Sequence, residues 1–224
     1  VPLSRSTPGT CLEVIASVPG GEEVARTSVR ADLDLAPHLA LTIPSEHVRV
    51  WGAGAPELYA LQVRLLDADG AVLDEVRSYA GLRSTSLNAH EYRLNGEKVF
   101  QRLVLDQGYW EDSFMTAPSD DAFTTDIRLA MEAGFNGARL HQKVFDQRML
   151  FWADLHGYLT WGEFGDWGVS GLGPLGDNQQ PTASFIGQWI EAVARDINHP
   201  SIIGWCPLNE THQILHDRFT QLDV

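Results

Sequence analysis

"SDDAFTTDIRLAMEAGFNGARLHQ", residues 119–142, is the stretch that decides the fold. Ser119 ahead of Asp120 and Asp121 reads as a helix start: a capping hydroxyl, then carboxylates at the electropositive end of the helix dipole. Phe123, Ile127, Ala130 and Met131 recur at helical spacing and define one apolar face. Gly134 closes the helix, because glycine readily takes the left-handed conformation that ends one. "FNGARLHQ" then reads as a short strand running into polar residues. A strand reached through a helix in this way predicts a parallel sheet with helical crossovers.

The same grammar extends in both directions. "FQRLVLDQGY" (100–109) is a strand, and "DQRMLFWADLHG" (146–157) is a helix with Asp146 as cap and Gly157 as stop. "YLTWGEF" (158–164) is a strand. "PTASFIGQWIEAVARDINHP" (181–200) is a helix with Phe185, Trp189, Val193 and Ile197 every fourth residue, closed by Pro200. "SIIGWCPLNE" (201–210) is a fourth strand. Residues 100–210 are therefore expected to form four parallel strands with three intervening helices. Regular strands would point Leu103, Leu105, Ile203 and Trp205 inward.

Upstream the periodicity changes. "CLEVIASV" (11–18), "EEVARTSVRADL" (22–33) and "ELYALQVRLLDADGAVLDEVRSYAGLRS" (57–84) are short runs rich in Val, Leu and Tyr, broken by Gly, Pro and Asp. Leu58, Ala60 and Gln62 alternate with Tyr59, Leu61 and Val63, and "DADG" at 67–70 is a turn between two strands. In "EYRLNGEKVF" (91–100), Asn95-Gly96 is a two-residue hairpin turn. The pattern is that of an antiparallel β-sandwich with a scaffold role, placed at 1–87, with the α/β part at 88–224.

With 224 residues, 44% hydrophobic and 21% charged, the chain has the make-up of a globular protein with a sizeable core. Thirty acidic against 16 basic residues give a formal charge of −14, which argues against a nucleic-acid partner. No apolar run has the length of a membrane span, and no signal peptide opens the chain, so a cytoplasmic location is favoured. Cys11 and Cys206 are far apart and read as buried thiols rather than a disulfide scaffold. "GLGPLG" (171–176) matches a dinucleotide fingerprint only in letters: it contains Pro174 and opens no helix. His199, His212 and His216 lack metal-ligand spacing, so no metal and no cofactor are expected. Asn209-Glu210-Thr211 at a strand end is a poor glycosylation acceptor.

Polar residues gather at the C-terminal end of every strand in the second half: Asp106, Gln107, Tyr109 and Trp110; Arg139, His141 and Gln142; Trp161, Glu163 and Trp167; Asn209 and Glu210. In parallel α/β folds this is the end where substrates bind. Carboxylates mixed with Trp and His suit a carbohydrate, since aromatic rings stack on C–H faces and polar groups bond hydroxyls.

"LNGEKVF", "DIRLAMEAGFNGARLHQ", "HGYLTWGEF", "ARDINHPSIIGW" and the Asn209-Glu210 pair together resemble glycoside hydrolase family 2, the group of β-galactosidases, β-glucuronidases and β-mannosidases. The resemblance implies an immunoglobulin-like sandwich followed by the first half of a TIM (β/α)8 barrel. It implies hydrolysis of terminal β-glycosides by a retaining mechanism in a bacterial parent protein. Glu210 takes the role of general acid/base, and Asn209 that of the neighbour binding the sugar 2-hydroxyl. Arg139, His141, Glu163, Asp106 and Trp110 are the further candidates for substrate binding. Retaining hydrolysis needs two carboxylates roughly 5–5.5 Å apart, and the resemblance assigns the nucleophile to a later barrel strand. The chain as given is therefore expected to be incomplete and inactive, supplying the acid/base without the nucleophile, and to self-associate through an open half-barrel. The rival reading is a non-catalytic carbohydrate-binding or structural module on the same fold. Galactoside, glucuronide and mannoside remain equally open as substrates.

Overall fold

The computed structural model describes residues 1–88, 90–165 and 182–209, with Thr182 and Ala183 described in backbone only. The expected loop at 171–176, and Trp167, Glu210, His212 and His216, lie outside the described residues. The chain divides into two compact units: Val1–Trp51 with Glu57–Arg83, and Gly52–Pro56 with Ser84–Val224.

The first unit holds an antiparallel sheet of β1 (Cys11–Ser17), β2 (Glu23–Arg30), β3 (Tyr59–Leu66) and β4 (Val72–Ala80), in the order β2-β1-β3-β4. Alternation separates its two faces. Val14 lies opposite Val63 and Ala16 opposite Leu61 on the apolar face, where Tyr59, Leu41 and Ile43 pack against them. The other face is a lattice of charge: Arg26 bridges Glu13 at 2.7 Å and Glu23 at 2.8 Å, and Arg64 reaches Glu75 at 3.1 Å. The buried Tyr59 hydroxyl donates to the His47 carbonyl and accepts from the Arg49 N–H, both at 2.7 Å, tying down the long β2–β3 connection. The expected turn at 67–70 is present, with Gly70 at φ 84°. Among the described residues this unit forms one sheet, and segment 39–43 lies over part of its apolar face.

The second unit opens with a small antiparallel sheet, β5 (Thr85–Leu87), β6 (Tyr92–Leu94) and β7 (Glu97–Lys98). Asn95 and Gly96 turn it with φ of 53° and 83°, the left-handed pair that a two-residue hairpin requires. There follow β8 (Leu103–Asp106), α1 (Asp120–Glu132), β9 (Gly137–Leu140), α2 (Gln147–His156), β10 (Leu159–Glu163), α3 (Thr182–Asp196) and β11 (Ile202–Cys206). The four strands are parallel, in the order β11-β10-β9-β8, with each strand beside its predecessor in sequence. Antiparallel sheets followed by a parallel α/β unit is the succession read from the periodicities.

Helix ends follow local chemistry. The Asp146 carboxylate accepts from the Arg148 N–H at 2.9 Å, and Gly157 ends α2 at φ 64°. Ser119 sits at the cap of α1 without a side-chain bond to it. One face of the parallel sheet is covered by helices: Phe123 and Ile127 of α1, Ala138 and Leu140 of β9, Met149, Leu150 and Ala153 of α2, and Ile202 of β11 form a continuous core. Phe164, Phe185, Trp189 and Trp205 form a second cluster around α3. Ile197, expected on the α3 stripe, is instead exposed, because α3 ends at Asp196.

Trp205 departs from its expected inward position. The pairing of β10 with β11 slips by one residue: Thr160 faces Ile202, but Trp161 faces Gly204. The extra residue, Ile203, reverses the pleat beyond it. Trp205 therefore turns to the helix-covered face and meets Trp189 edge-on, with centroids 5.6 Å apart. Gly204 turns the other way and lies under Trp161, while Gly162 lies under Trp205; a Cβ at either glycine would fall within 2.6 Å of the facing indole. Each tryptophan packs across the strand pair onto the glycine opposite it. Cys11 and Cys206 are free and half-buried rather than buried.

Candidate active site

Arg139 is the hub of the site, and its direction is set by the pleat of β9. Ala138 and Leu140 enter the helix-covered core, so Arg139 points to the opposite face. Trp161 lies beside it in register on β10, and Glu163, two residues on, points the same way. The two side chains form a forked pair: Arg139 Nε donates to Glu163 Oε2 at 2.5 Å, and Nη2 to Oε1 at 3.0 Å. The bonds to Glu163 hold the guanidinium pKa above its usual value.

The fork reaches further. Arg139 Nη2 also donates to Asn209 Oδ1 at 2.8 Å, and His141 Nε2 lies 3.2 Å from the same oxygen. His141 Nδ1 lies 3.0 Å from Gln107 Nε2. A neutral imidazole with its proton on Nε2 fits both partners: it accepts from the Gln107 amide and donates to Asn209. Residues from the ends of β8, β9, β10 and β11 thus converge on one network. The Gln142 N–H donates to Glu163 Oε1 at 2.9 Å, with Gln142 in the left-handed region at φ 53°. The Cys206 thiol lies against Glu163 and Arg139, and burial pushes its pKa up.

The structure brings Arg139, His141, Glu163 and Asn209 together. Glu163, a candidate for substrate binding, has a fully buried side chain, and both its oxygens accept hydrogen bonds from the protein. Asp106 and Trp110 are turned elsewhere. Asp106 is paired with Leu140, so it shares that residue's side of the sheet, toward α1. There it accepts from the Gly108 N–H at 2.8 Å and lines a cleft with Asp126, Ile127 and Tyr158. Burial raises the pKa of both Asp106 and Asp126, and burial together with these carboxylates raises that of Tyr158. Trp110 donates through its indole N–H to Asp126 at 3.0 Å and packs edge-on against Phe123. These two residues anchor the loop after β8; the alternation of β8 put that outcome within reach of the sequence.

Lys143 completes the anchoring. Its ammonium donates to the carbonyls of Gly108 at 2.9 Å and Met115 at 2.5 Å and sits over Phe145 and Trp110, and burial lowers its pKa. Gln107, which orients His141, was a polar strand-end residue with no motif to single it out. Among the described residues no group of three His, Cys, Asp or Glu is placed to hold a metal ion, and no helix is long and apolar enough to cross a membrane.

The described residues thus form an antiparallel unit followed by parallel strands whose C-terminal ends share an Arg, His, Glu and Asn network, and known proteins resemble the chain in sequence and fold. Residues 9–83 match the family model described as glycosyl hydrolases family 2. A β-galactosidase of Psychromonas ingrahamii is 27% identical over 205 residues, covering 88% of this chain and 19% of that protein. A β-glucuronidase of Paenibacillus borealis is 26% identical over 178 residues, covering 75% of this chain and 29% of that one. The solved β-glucuronidase of Ruminococcus gnavus, in complex with D-glucuronic acid, superposes with a TM-score of 0.77 at 22% identity, over 95% of this chain and 34% of that one. The chain is thus similar to members of glycoside hydrolase family 2, whose model its residues 9–83 match. It spans less than a third of the length of these two curated relatives.

Proposed function

We propose that the chain supplies the sugar-binding strand ends and the general acid/base of a retaining β-glycosidase. In this reading the four parallel strands are the first half of a (β/α)8 barrel from about residue 88, preceded by an immunoglobulin-like sandwich. The observation that carries it is the convergence of Arg139 and His141 on Oδ1 of Asn209, the residue directly before Glu210. With Oδ1 held by two donors, the amide NH2 of Asn209 faces the opposite way, oriented to donate to the 2-hydroxyl of a bound sugar. Glu210 would protonate the departing glycosidic oxygen and then, as carboxylate, draw the proton from the water that releases the sugar. Glu163 is unsuited to be the nucleophile, since it is buried and both its oxygens are occupied.

The test is Glu210→Gln in the polypeptide as the cell makes it. The acid is lost and the shape kept, so turnover of β-glycosides with poor leaving groups should fall on the order of 10²- to 10⁴-fold. Activated aryl β-glycosides, which need little protonation, should suffer less. Equal losses on both substrates would overturn the assignment.

A further inference from the structure

We propose that Glu163 is the positioning residue of this site: a buried fixed anion that never meets substrate and that sets the orientation of the Asn209 amide through Arg139. The inference rests on the glycosidase reading above and assigns Glu163 a task within it.

Three observations lead there. The Glu163 side chain has no exposed surface, while that of Arg139 is one-third exposed. A sugar hydroxyl could reach the arginine but not the carboxylate. Next, Glu163 Oε1 receives both Arg139 Nη2 and the Gln142 N–H, and Oε2 receives Arg139 Nε. Its acceptor positions are spent on protein donors. Finally, the same Arg139 nitrogen that donates to Glu163 also donates to Asn209 Oδ1. One NH2 group bridges the carboxylate and the amide, so a displacement at Glu163 is passed on to Asn209 within two hydrogen bonds.

The second link runs through the backbone. Gln142 sits at φ 53°, a conformation a non-glycine residue keeps only when its surroundings hold it there. The Glu163 bond to its N–H is one of those restraints. It fixes the turn directly after His141, the other donor to Asn209 Oδ1. Both donors to the amide oxygen therefore depend on Glu163, one through the guanidinium and one through the chain. Removing the charge would free Arg139 to swing toward solvent, which its exposure permits, so the expected failure is lost orientation rather than lost folding.

The experiment is Glu163→Gln in the polypeptide as the cell makes it, assayed on an aryl β-glycoside and on its 2-deoxy counterpart, alone and with Asn209→Ala. The intact substrate should lose on the order of 10²-fold in kcat/KM, the cost of misplacing a positioned group by about an ångström. On the 2-deoxy substrate, which lacks the hydroxyl that Asn209 would bind, the loss should shrink to about threefold or less. With Asn209→Ala already present, Glu163→Gln should add little. A residue that only supports folding would cost the same factor on both substrates and in both backgrounds, and that result overturns the proposal. Arg139→Lys keeps the positive charge but not the shared nitrogen, and should reproduce the substrate dependence if Glu163→Gln fails to fold. Should the unmodified polypeptide turn over no glycoside, the functional reading fails by itself. The crystal structure of the Glu163→Gln variant then decides the inference: a turned Asn209 amide upholds it, and unchanged Arg139, Gln142 and Asn209 side chains overturn it.

Discussion

Gly162→Ala should destabilise the second unit although it replaces glycine with a better strand former. A Cβ at residue 162 would lie 2.5 Å from Cζ3 and 2.7 Å from Cε3 of Trp205, where ordinary contact begins near 3.4 Å. The indole would have to retreat by roughly 1 Å. It has no room, because Trp189 stands edge-on behind it with ring centroids 5.6 Å apart. Overpacking of this kind costs about 1–3 kcal/mol, and each kcal/mol lowers the melting midpoint by about 2–4 °C in a chain of this size.

A background without the ring should reverse the sign. With Trp205→Ala the clash is gone, and Gly162→Ala then recovers the about 0.5–1 kcal/mol that a strand glycine forfeits. The coupling between the two sites should be between about 1.5 and 4 kcal/mol. Urea midpoints followed by tryptophan fluorescence on the full chain measure all four corners of the cycle. A Gly162→Ala cost within about 0.5 kcal/mol of zero, or an equal cost in both backgrounds, would refute the interlock.

Three further outcomes are expected. Asp154 is fully buried and accepts from His199 Nδ1 at 2.6 Å and the Ser201 N–H at 2.8 Å, so Asp154→Ala, which strands both donors, should cost about 3–5 kcal/mol in urea denaturation. Gly157→Ala should be destabilising in a thermal melt, because φ is 64° and the new Cβ would fall 2.6 Å from the Gly54 nitrogen. The folded-state pKa of Asp106 is raised by burial, so the folded state holds its proton to higher pH than the unfolded state does. Its destabilising effect is absent below the ordinary carboxylate pKa, grows as pH rises through the raised value, and is complete above it. Asp106→Asn, which can keep the bond to the Gly108 N–H, should therefore raise the urea midpoint at pH 7.5 more than at pH 4. An equal effect at both pH values would count against the burial argument.

The sequence was most legible where one residue type has one local use. Asn95-Gly96, Asp146 and Gly157 sit where their backbone or capping chemistry requires. Phe123, Ile127 and Trp189 lie on the buried helix faces that their spacing predicts. The candidate site was legible as a set of strand ends and not as a geometry. His141 and Arg139 belong together, but nothing in "RLHQ" says that a carboxylate 24 residues on would claim the arginine. Asp106 and Trp110 were grouped with them because proximity in sequence to a strand end carries no side. The pleat decides the side, and at β8 it turns Asp106 the way of Val104, toward α1.

The bulge at Ile203 joins the fold to the site. Without it, the pairing that begins at Thr160 and Ile202 would continue in step and set Trp205 opposite Glu163. A strand in that register would send Trp205 to the Arg139 face, as a regular reading of "IIGWC" predicts, and crowd a large indole against the Arg139–Glu163 fork. One extra residue exchanges the two neighbours. Trp205 moves to the helix-covered face, where Gly162 leaves a bed for it and Trp189 meets its edge. The small Cys206 comes opposite Glu163 instead, with its thiol against the ion pair. The glycines of "TWGEF" and "IIGWC" stand in opposite order around their tryptophans because the slipped register needs a gap on each face, one for each ring. The bulge thus does two things at once: it completes the core under α3 and leaves the carboxylate of Glu163 room to hold Arg139.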